Sequence, residues 1–86
     1  MQVQNNTFLV TGGASGLGEA TTRYLVAQGA NIIIADLNQE AGEKLVAKLG
    51  DNVIFAKCDI TSEADVKNAI DAGVTKFGKL SGSINC

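Results

Sequence analysis

Short apolar runs alternate with longer amphipathic stretches along the chain. Residues 7–10 (Thr-Phe-Leu-Val), 31–35 (Asn-Ile-Ile-Ile-Ala) and 53–56 (Val-Ile-Phe-Ala) are rich in β-branched, aromatic and aliphatic side chains. Runs of this length without polar alternation are typical of strands that are covered on both faces, as in a parallel sheet. The pattern therefore predicts three buried strands.

Three amphipathic stretches follow these runs and predict three helices. The first, residues 16–28, has an apolar stripe that is expected to face the core: Leu17, Ala20, Thr21, Tyr24 and Leu25. In the second, Asn38 is the expected N-cap, Gly50 the expected end, and the stripe is Ala41, Leu45 and Leu49. Ser62 and Asp65 fit a capping box before the third, whose stripe is Val66, Ala69, Ile70, Gly73, Val74 and Phe77, and Gly78 ends it.

This order of elements predicts an α/β fold. Strands that alternate with helices require right-handed crossovers onto a parallel sheet, with helices on both of its faces. Ile84 begins a fourth apolar segment near the end of the chain. We expect residues 1–86 to form one partial domain, the first half (β-α-β-α-β-α-β) of a three-layer, doubly wound Rossmann-type sheet whose complete strand order is 3-2-1-4-5-6.

Composition and charge exclude several classes of protein. The chain has 86 residues, with 7 basic against 9 acidic side chains and a net charge of -2. The basic residues are scattered, which disfavours a nucleic-acid partner. No apolar run approaches the roughly 20 residues of a membrane span, and residues 1–6 lack the basic and apolar regions of a secretory signal. A cytoplasmic protein without a membrane partner is the expectation.

The histidine and cysteine content excludes several kinds of metal site and catalytic site. The sequence has no histidine and only two cysteines, Cys58 and Cys86, which do not form a C-x-x-C pair. Zinc fingers, histidine-based triads and histidine-ligated metals are thereby excluded within these residues, and we expect no metal site. Both cysteines are interpreted as small buried residues in a reducing compartment.

A glycine-rich turn joins the first predicted strand to the first predicted helix: Thr11-Gly12-Gly13-Ala14-Ser15-Gly16-Leu17-Gly18. This position favours phosphate binding, because backbone amides at a helix start attract anions. Gly12 suits the sharp turn, Gly16 the approach of a diphosphate, and Gly18 close packing of the helix. The amides between Thr11 and Gly18 are expected to bind a pyrophosphate. Ser15 either donates its hydroxyl to the phosphate or caps the helix.

Asp36 lies at the carboxyl end of the second predicted strand, 18 residues after Gly18. An acid at this place can accept hydrogen bonds from the hydroxyls of an adenosine ribose, and it would repel a 2′-phosphate. The neighbouring Leu37 supplies no compensating positive charge. NAD rather than NADP is therefore the expected cofactor. The alternative is that Asp36 is a solvated turn residue or a charge at the helix start.

The spacing T-G-x-x-x-G-x-G, Asp36 in Ile-Ala-Asp-Leu and the segment Cys-Asp-Ile-Thr at 58–61 together resemble the short-chain dehydrogenase/reductase family. The resemblance implies that Asp59 reaches the adenine amino group and that the backbone of Ile60 lines the same pocket. It adds Leu17 and Leu37 to the candidate cofactor contacts. Asn85 matches the start of the family's N-N-A-G motif, although Cys86 stands where a second asparagine is expected. The Asn-Cys pair is similar to the branch of type 2 3-hydroxyacyl-CoA dehydrogenases.

The family's catalytic serine and its Y-x-x-x-K pair lie beyond the fourth strand, and Tyr24, the only tyrosine, is followed by Gln28 four positions later. No catalytic residue is therefore expected here. The resemblance implies the NAD-binding amino-terminal portion of an oxidoreductase that transfers a hydride between NAD and an alcohol or ketone, such as a 3-hydroxyacyl-CoA or a hydroxysteroid. It also implies a homo-oligomeric parent enzyme with a small-molecule substrate. The alternatives are a catalytically dead fragment, or a module that binds only the adenosine half of NAD.

Overall fold

Four strands and three helices alternate along the chain in the computed structural model, which describes residues 3–86. The elements are β1 (Thr7–Thr11), α1 (Gly16–Ala27), β2 (Asn31–Asp36), α2 (Gln39–Leu49), β3 (Val53–Lys57), α3 (Glu63–Phe77) and β4 (Gly82–Asn85). The predicted succession of elements is confirmed.

The strands form one parallel sheet in the order β3-β2-β1-β4. In the centre of the sheet Val10 of β1 is opposite both Ile34 of β2 and Ile84 of β4. The chain therefore adds β2 and β3 on one side of β1 and then crosses to add β4 on the other. This reversal of direction is the defining feature of a doubly wound sheet, so the predicted fold class is confirmed.

Two apolar cores lie on opposite faces of the sheet. On one face, Leu25 of α1 and Leu45 of α2 pack on strand residues that include Phe8, Val10, Ile32 and Ile34. On the other face, Ala69 of α3 packs with Leu9, Ile33 and Ala35. Because neighbouring residues of β2 enter different cores, Ile32, Ile33 and Ile34 are all fully buried. The three-layer arrangement follows directly from this uninterrupted isoleucine run.

The predicted core face of α1 is wrong except at Leu25, which is buried as predicted. Leu17 and Tyr24 are 73% and 64% exposed, whereas the buried residues of the helix are Gly18, Thr22 and Leu25. A Cβ atom at Gly18 would overlap the carbonyl oxygen of Gly12, so only glycine permits this approach of the helix. The helix therefore turns Gly18 inward together with Thr22 and Leu25, and Leu17, about 100° away from Gly18 around the axis, faces outward.

The helix ends follow the sequence signals, with one exception. The Asn38 side chain accepts a hydrogen bond from the Ala41 amide, and the Ser62 hydroxyl accepts one from the Asp65 amide, as predicted. Gly78 ends α3 in the left-handed conformation. The second half of the predicted capping box is wrong: the Asp65 carboxylate binds the amide of Asp59 rather than that of Ser62.

Cys58 is buried as expected, but Cys86 is exposed, so the prediction of two buried cysteines is half wrong. Cys86 follows β4, and its Sγ lies 3.9 Å from the hydroxyl of Thr21 on α1. None of the three helices is long and apolar enough to cross a membrane.

Candidate functional site

The candidate residues lie along one edge of the sheet. The glycine loop follows β1, Asp36 ends β2, Asp59 and Ile60 follow β3, and Asn85 ends β4. Since all four strands are parallel, their carboxyl ends point to the same edge. The reversal of strand order between β1 and β4 occurs at this edge, which is where open α/β sheets bind ligands.

The glycine loop presents a group of free amides at the start of α1. Gly12 and Gly16 have φ angles of +67° and +58°, which a residue with a side chain adopts only with strain. Within residues 3–86, the amides of Ser15, Gly16, Leu17 and Gly18 have no hydrogen-bond partner in the protein. Free amides at a helix start form a binding site for an anion.

Not every amide of the loop is free. The Gly12 amide donates to the carbonyl of Ala35 at 2.8 Å, and the Ala14 amide donates to Oδ2 of Asp36 at 3.2 Å. The expectation that amides throughout residues 11–18 bind a pyrophosphate is therefore too broad. The run of four successive free amides begins at Ser15.

Ser15 is the N-cap residue of α1, with extended backbone angles, but its side chain makes no capping hydrogen bond. Of the two roles considered for its hydroxyl, capping is not used in this structure. The side chain is exposed beside the free amides. The hydroxyl can therefore add a donor to the same anion site.

Asp36 is fixed by two backbone amides. Its Oδ2 accepts from Ala14 and its Oδ1 accepts from Asn38, at 3.2 and 2.9 Å. The second bond closes an Asx turn. Asp36 is therefore a turn residue, as the alternative interpretation predicted. Each carboxylate oxygen retains acceptor capacity, and the side chain remains partly exposed. The bond to Ala14 also joins this acid directly to the glycine loop.

The loop between β3 and α3 is held by its own short hydrogen bonds. Oδ1 of Asp59 accepts from the hydroxyl of Thr61 at 2.7 Å and from its amide at 2.9 Å. These two bonds, the hydroxyl bond first, lower the pKa of Asp59 below its ordinary value of 3.8. The Asp59 amide donates to Oδ2 of Asp65 at 3.0 Å. Asp59 is thus a fixed anion with its second oxygen available.

Apolar side chains border the same edge. Large hydrophobic residues are exposed at five positions among residues 3–86, and three of these are candidate site residues: Leu17 at 73%, Leu37 at 60% and Ile60 at 57%. Leu37 follows β2 and Ile60 follows β3, so both flank the position of Asp36. Exposed apolar side chains beside fixed carboxylates are suited to an aromatic base carrying a sugar.

Asn85 joins the edge from the other side. Its Oδ1 lies 3.0 Å from the hydroxyl of Thr11, the last residue of β1. The side chain therefore connects the ends of β1 and β4, next to the glycine loop. The nitrogen of its side-chain amide, Nδ2, has no partner among residues 3–86.

Three contributions were missed from the sequence. The Ala14 amide, the Asp65 carboxylate and the Thr61 hydroxyl each hold a predicted site residue in place. The S-x-x-D spacing signalled only helix capping, and nothing in the sequence indicated that the Ala14 amide binds Asp36. No cluster of three potential metal ligands occurs among residues 3–86.

The comparisons with known proteins agree with this geometry. Residues 6–86 match the family model described as short chain dehydrogenase. The chain is 48% identical over 84 residues to 3-hydroxyacyl-CoA dehydrogenase type-2 of Drosophila melanogaster, covering 98% of this chain and 33% of the relative. It is 47% identical over 78 residues to the Homo sapiens protein of that name, covering 91% of this chain and 30% of the relative.

Solved structures give the same result. The 3-hydroxyacyl-CoA dehydrogenase type-2 from Mycobacterium avium superposes with a TM-score of 0.91 at 38% identity, covering 100% of this chain and 34% of that one. The 3-ketoacyl-(acyl-carrier-protein) reductase from Brucella melitensis, complexed with NADH, gives 0.90 at 32% identity, covering 94% and 34%. The chain spans about a third of the length of these relatives. The predicted resemblance to the type 2 3-hydroxyacyl-CoA dehydrogenases is thereby confirmed, and the chain belongs to the short-chain dehydrogenase family.

Proposed function

We propose that this chain binds the adenosine diphosphate part of NAD and serves as the amino-terminal cofactor-binding portion of an NAD-dependent oxidoreductase. The observation that carries the proposal is the free amide group at Ser15–Gly18 beside the fixed carboxylate of Asp36. A pyrophosphate and a ribose are covalently adjacent in NAD, and the bond from Ala14 to Asp36 makes their two candidate sites adjacent here.

The glycine loop fits a pyrophosphate on steric and electrostatic grounds. A Cβ at Gly16 would meet no atom within 4 Å, so the space above this residue is open. The four free amides and the Ser15 hydroxyl supply the donors. The dipole of α1 adds roughly 0.3–1 kcal/mol of favourable interaction with an anion. These residues would hold the negatively charged centre of the cofactor.

Asp36 would select NAD over NADP. Its carboxylate accepts hydrogen bonds from ribose hydroxyls, and hydrogen bonds to a charged group contribute roughly 1.5–3 kcal/mol. A 2′-phosphate about 4 Å away would instead be repelled by roughly 4 kcal/mol at an effective dielectric constant of about 20. Arg23, a cation on α1, already pairs with Glu19 at 2.8 Å. The local charge therefore favours the cofactor without the phosphate.

The remaining candidate residues would complete the site. Leu37 and Ile60 would contact the adenine base, and Asp59 would accept a hydrogen bond from its amino group. Leu17 and Asn85 lie on the β1 and β4 side and would contact the rest of the cofactor. When bound, NAD supplies the hydride acceptor and, once reduced, the hydride donor. In this chain the proposed contribution of the residues is to bind and orient that cofactor.

For the whole protein we propose hydride transfer between NAD and an alcohol or ketone, with a 3-hydroxyacyl-CoA as the preferred substrate class. The named relatives support this choice. A hydroxysteroid is the second candidate, and a homo-oligomer is the proposed assembly. The 86 residues contain no Y-x-x-x-K pair, so a proton donor would have to come from elsewhere. We therefore expect cofactor binding without turnover from these residues alone.

The test is a titration of the isotope-labelled chain with NAD and with NADP, followed by amide chemical shifts. We expect saturable shifts at residues 15–18 and tighter binding of NAD. Asp36→Ala should narrow the ratio of the two affinities, whereas Asp51→Ala, an exposed acid in the turn before β3, should leave it unchanged. Absence of a saturable shift at the glycine loop would contradict the proposal. An unchanged ratio in Asp36→Ala would remove Asp36 from it.

A further inference from the structure

The first turn of α3 binds the preceding loop through a closed set of hydrogen bonds. The Asp59 amide donates to Oδ2 of Asp65, the Asp65 amide donates to Oγ of Ser62, and the Ser62 amide donates to the carbonyl of Asp59. The backbone amide and carbonyl of Asp59 are therefore both hydrogen-bonded, one to the first turn of α3 and the other to its N-cap residue. The carboxylate of Asp65 is the only charged member of this set of three bonds.

This arrangement departs from an ordinary capping box. In a capping box the acid accepts a hydrogen bond from the amide of the N-cap residue and does not bind the loop before the helix. Here the acid reaches three residues further back, past Ser62, to Asp59. The hydrogen bond to Asp59 does not cap the start of α3, but it does fix the conformation of the loop.

The loop that is fixed in this way presents an apolar side chain and a carboxylate oxygen that have no hydrogen-bonding or burial role among residues 3–86. Ile60 is 57% exposed although hydrogen bonds hold the residues on both sides of it. Asp59 uses Oδ1 for Thr61 and leaves Oδ2 without a partner among residues 3–86. Ordering such a loop before a ligand arrives removes part of the entropic cost of binding.

We propose that Asp65 is a positioning residue that holds the loop between β3 and α3 (residues 58–62) in the shape that receives the adenine base. The inference rests on the proposed function, since it assigns the adenine end of the cofactor to this loop. Asp65 does not touch the base itself, because it acts through the amide of Asp59.

The surroundings of Cys58 agree with a carboxylate at this place. The thiol of Cys58 is buried, and its pKa is raised above its ordinary value of 9.0, first by burial and then by the charges of Asp65 and Asp59. Asp65 is itself partly buried. A hydrogen bond to a charged acceptor is stronger in such a place than at an open surface.

The test compares binding of 5′-AMP, NAD and inorganic pyrophosphate by the wild-type chain and by variants. In Asp65→Ala we expect affinity for 5′-AMP and NAD to fall about tenfold, as for the loss of one charge-assisted hydrogen bond. Affinity for pyrophosphate should not change, because the glycine loop is untouched. Asp65→Asn keeps an acceptor oxygen and should restore 5′-AMP binding to within about threefold of wild type.

Asp71→Ala is the matched control, since Asp71 lies on the same helix and pairs only with Lys67 on the exposed face. It should bind all three ligands as the wild type does. Equal 5′-AMP affinity in Asp65→Ala and Asp71→Ala would overturn the positioning role and leave the proposed function intact. Failure of the wild-type chain to bind either 5′-AMP or NAD would overturn both.

Hydrogen exchange of the wild-type chain gives a second measurement that does not depend on the folding of a variant. If Asp65 fixes the loop in advance, the Asp59 amide is protected from exchange before any ligand is added. Addition of 5′-AMP also slows exchange elsewhere, and the amides of β2 serve as the reference. The increase in the protection factor of the Asp59 amide should exceed the increase in β2 by no more than about twofold. Protection of the Asp59 amide that arises only with 5′-AMP would overturn the proposal.

Discussion

At the scale of single residues, the candidate site depends on groups that are fixed by hydrogen bonds before a ligand binds. Asp36 is held by Ala14 and Asn38, and Asp59 is held by Thr61. A carboxylate that is already oriented loses less side-chain entropy when it accepts a further hydrogen bond. The residues that look like binding groups in the sequence are therefore only half of the arrangement, and the groups that orient them are the other half.

The bond between Thr61 and Asp59 makes a prediction about pH. Thr61→Val removes the hydroxyl donor and keeps the backbone donor, so the lowered pKa of Asp59 should rise toward 3.8 without reaching it. A lowered pKa stabilises the folded state above the ordinary value, and this stability is lost as pH falls through the folded-state pKa. The loss of stability in Thr61→Val should therefore be largest near neutral pH, and it should shrink as the pH falls below 3.8 and through the folded-state pKa of Asp59.

Titration of the carboxyl chemical shift of Asp59 measures this pKa directly. Thr75→Val, an exposed threonine on α3, is the matched control and should leave the Asp59 midpoint in place. The same midpoint in Thr61→Val and in the wild type would show that the hydroxyl does not lower the pKa.

At the scale of elements, the small residues of the helices determine how closely they approach their neighbours. Gly18 of α1 lies against the carbonyl of Gly12, Gly42 of α2 lies under the ring of Phe55, and Gly73 of α3 lies against Ile33. A Cβ at any of the three would overlap these atoms. Each helix therefore turns a glycine inward, even where larger apolar residues are available on the same helix.

This packing predicts losses of stability of very different size for two adjacent residues of α1. Leu25 is 7% exposed and Tyr24 is 64% exposed. Leu25→Ala should lower the free energy of unfolding by roughly 2–5 kcal/mol, because it opens a cavity in the core that α1 shares with the sheet. Tyr24→Ala should lower it by no more than about 0.5 kcal/mol. Chemical denaturation of both variants measures the difference.

Equal losses of unfolding free energy in Leu25→Ala and Tyr24→Ala would mean that α1 is rotated from the orientation described. Ala27→Ser, an exposed change at the last residue of the helix, controls for changes in helix propensity. Its effect should match that of Tyr24→Ala rather than that of Leu25→Ala.

The same helix shows where prediction from sequence succeeds and where it fails. The limits of the strands and helices follow from changes in hydrophobic period and from caps such as Asn38 and Gly78, which are local signals. The face of α1 could not be predicted, because hydrophobicity favours Leu17 and Tyr24 while close packing requires Gly18. At the site, spacing identified Asp36 and the glycine loop. The partners Ala14 and Asp65 come from tertiary geometry that spacing does not contain.

At the scale of the whole molecule, the sheet has two inner and two outer strands. β2 and β1 each pair on both sides, whereas β3 and β4 each pair with one strand of residues 3–86. The inner strand β2 is also covered on both faces, with Ile32, Ile33 and Ile34 at 0% exposure. In β4, by contrast, Ser83 and Asn85 are exposed.

The local stability of each strand should follow the number of its paired edges and the burial of its side chains. Amide hydrogen exchange of the intact chain should be slowest in β2 and fastest, among the strands, in β4, because opening β4 breaks one ladder and exposes little apolar surface. Exchange followed residue by residue in nuclear magnetic resonance spectra measures the order. Slower exchange at Ile84 than at Ile33 would contradict it.

The place of β1 between β2 and β4 has a consequence for synthesis. Of the four strands, β1 leaves the ribosome first. The partner for its second edge is available only when Gly82–Asn85 have been made, and the hydrogen bond that the Thr7 amide donates to the Ser81 hydroxyl spans 74 positions. Translation must therefore produce nearly all of these residues before β1 is enclosed. Until then the second edge of β1 is open to chaperones and to other nascent chains, so the enclosure of β1 is the last step in the assembly of these four strands.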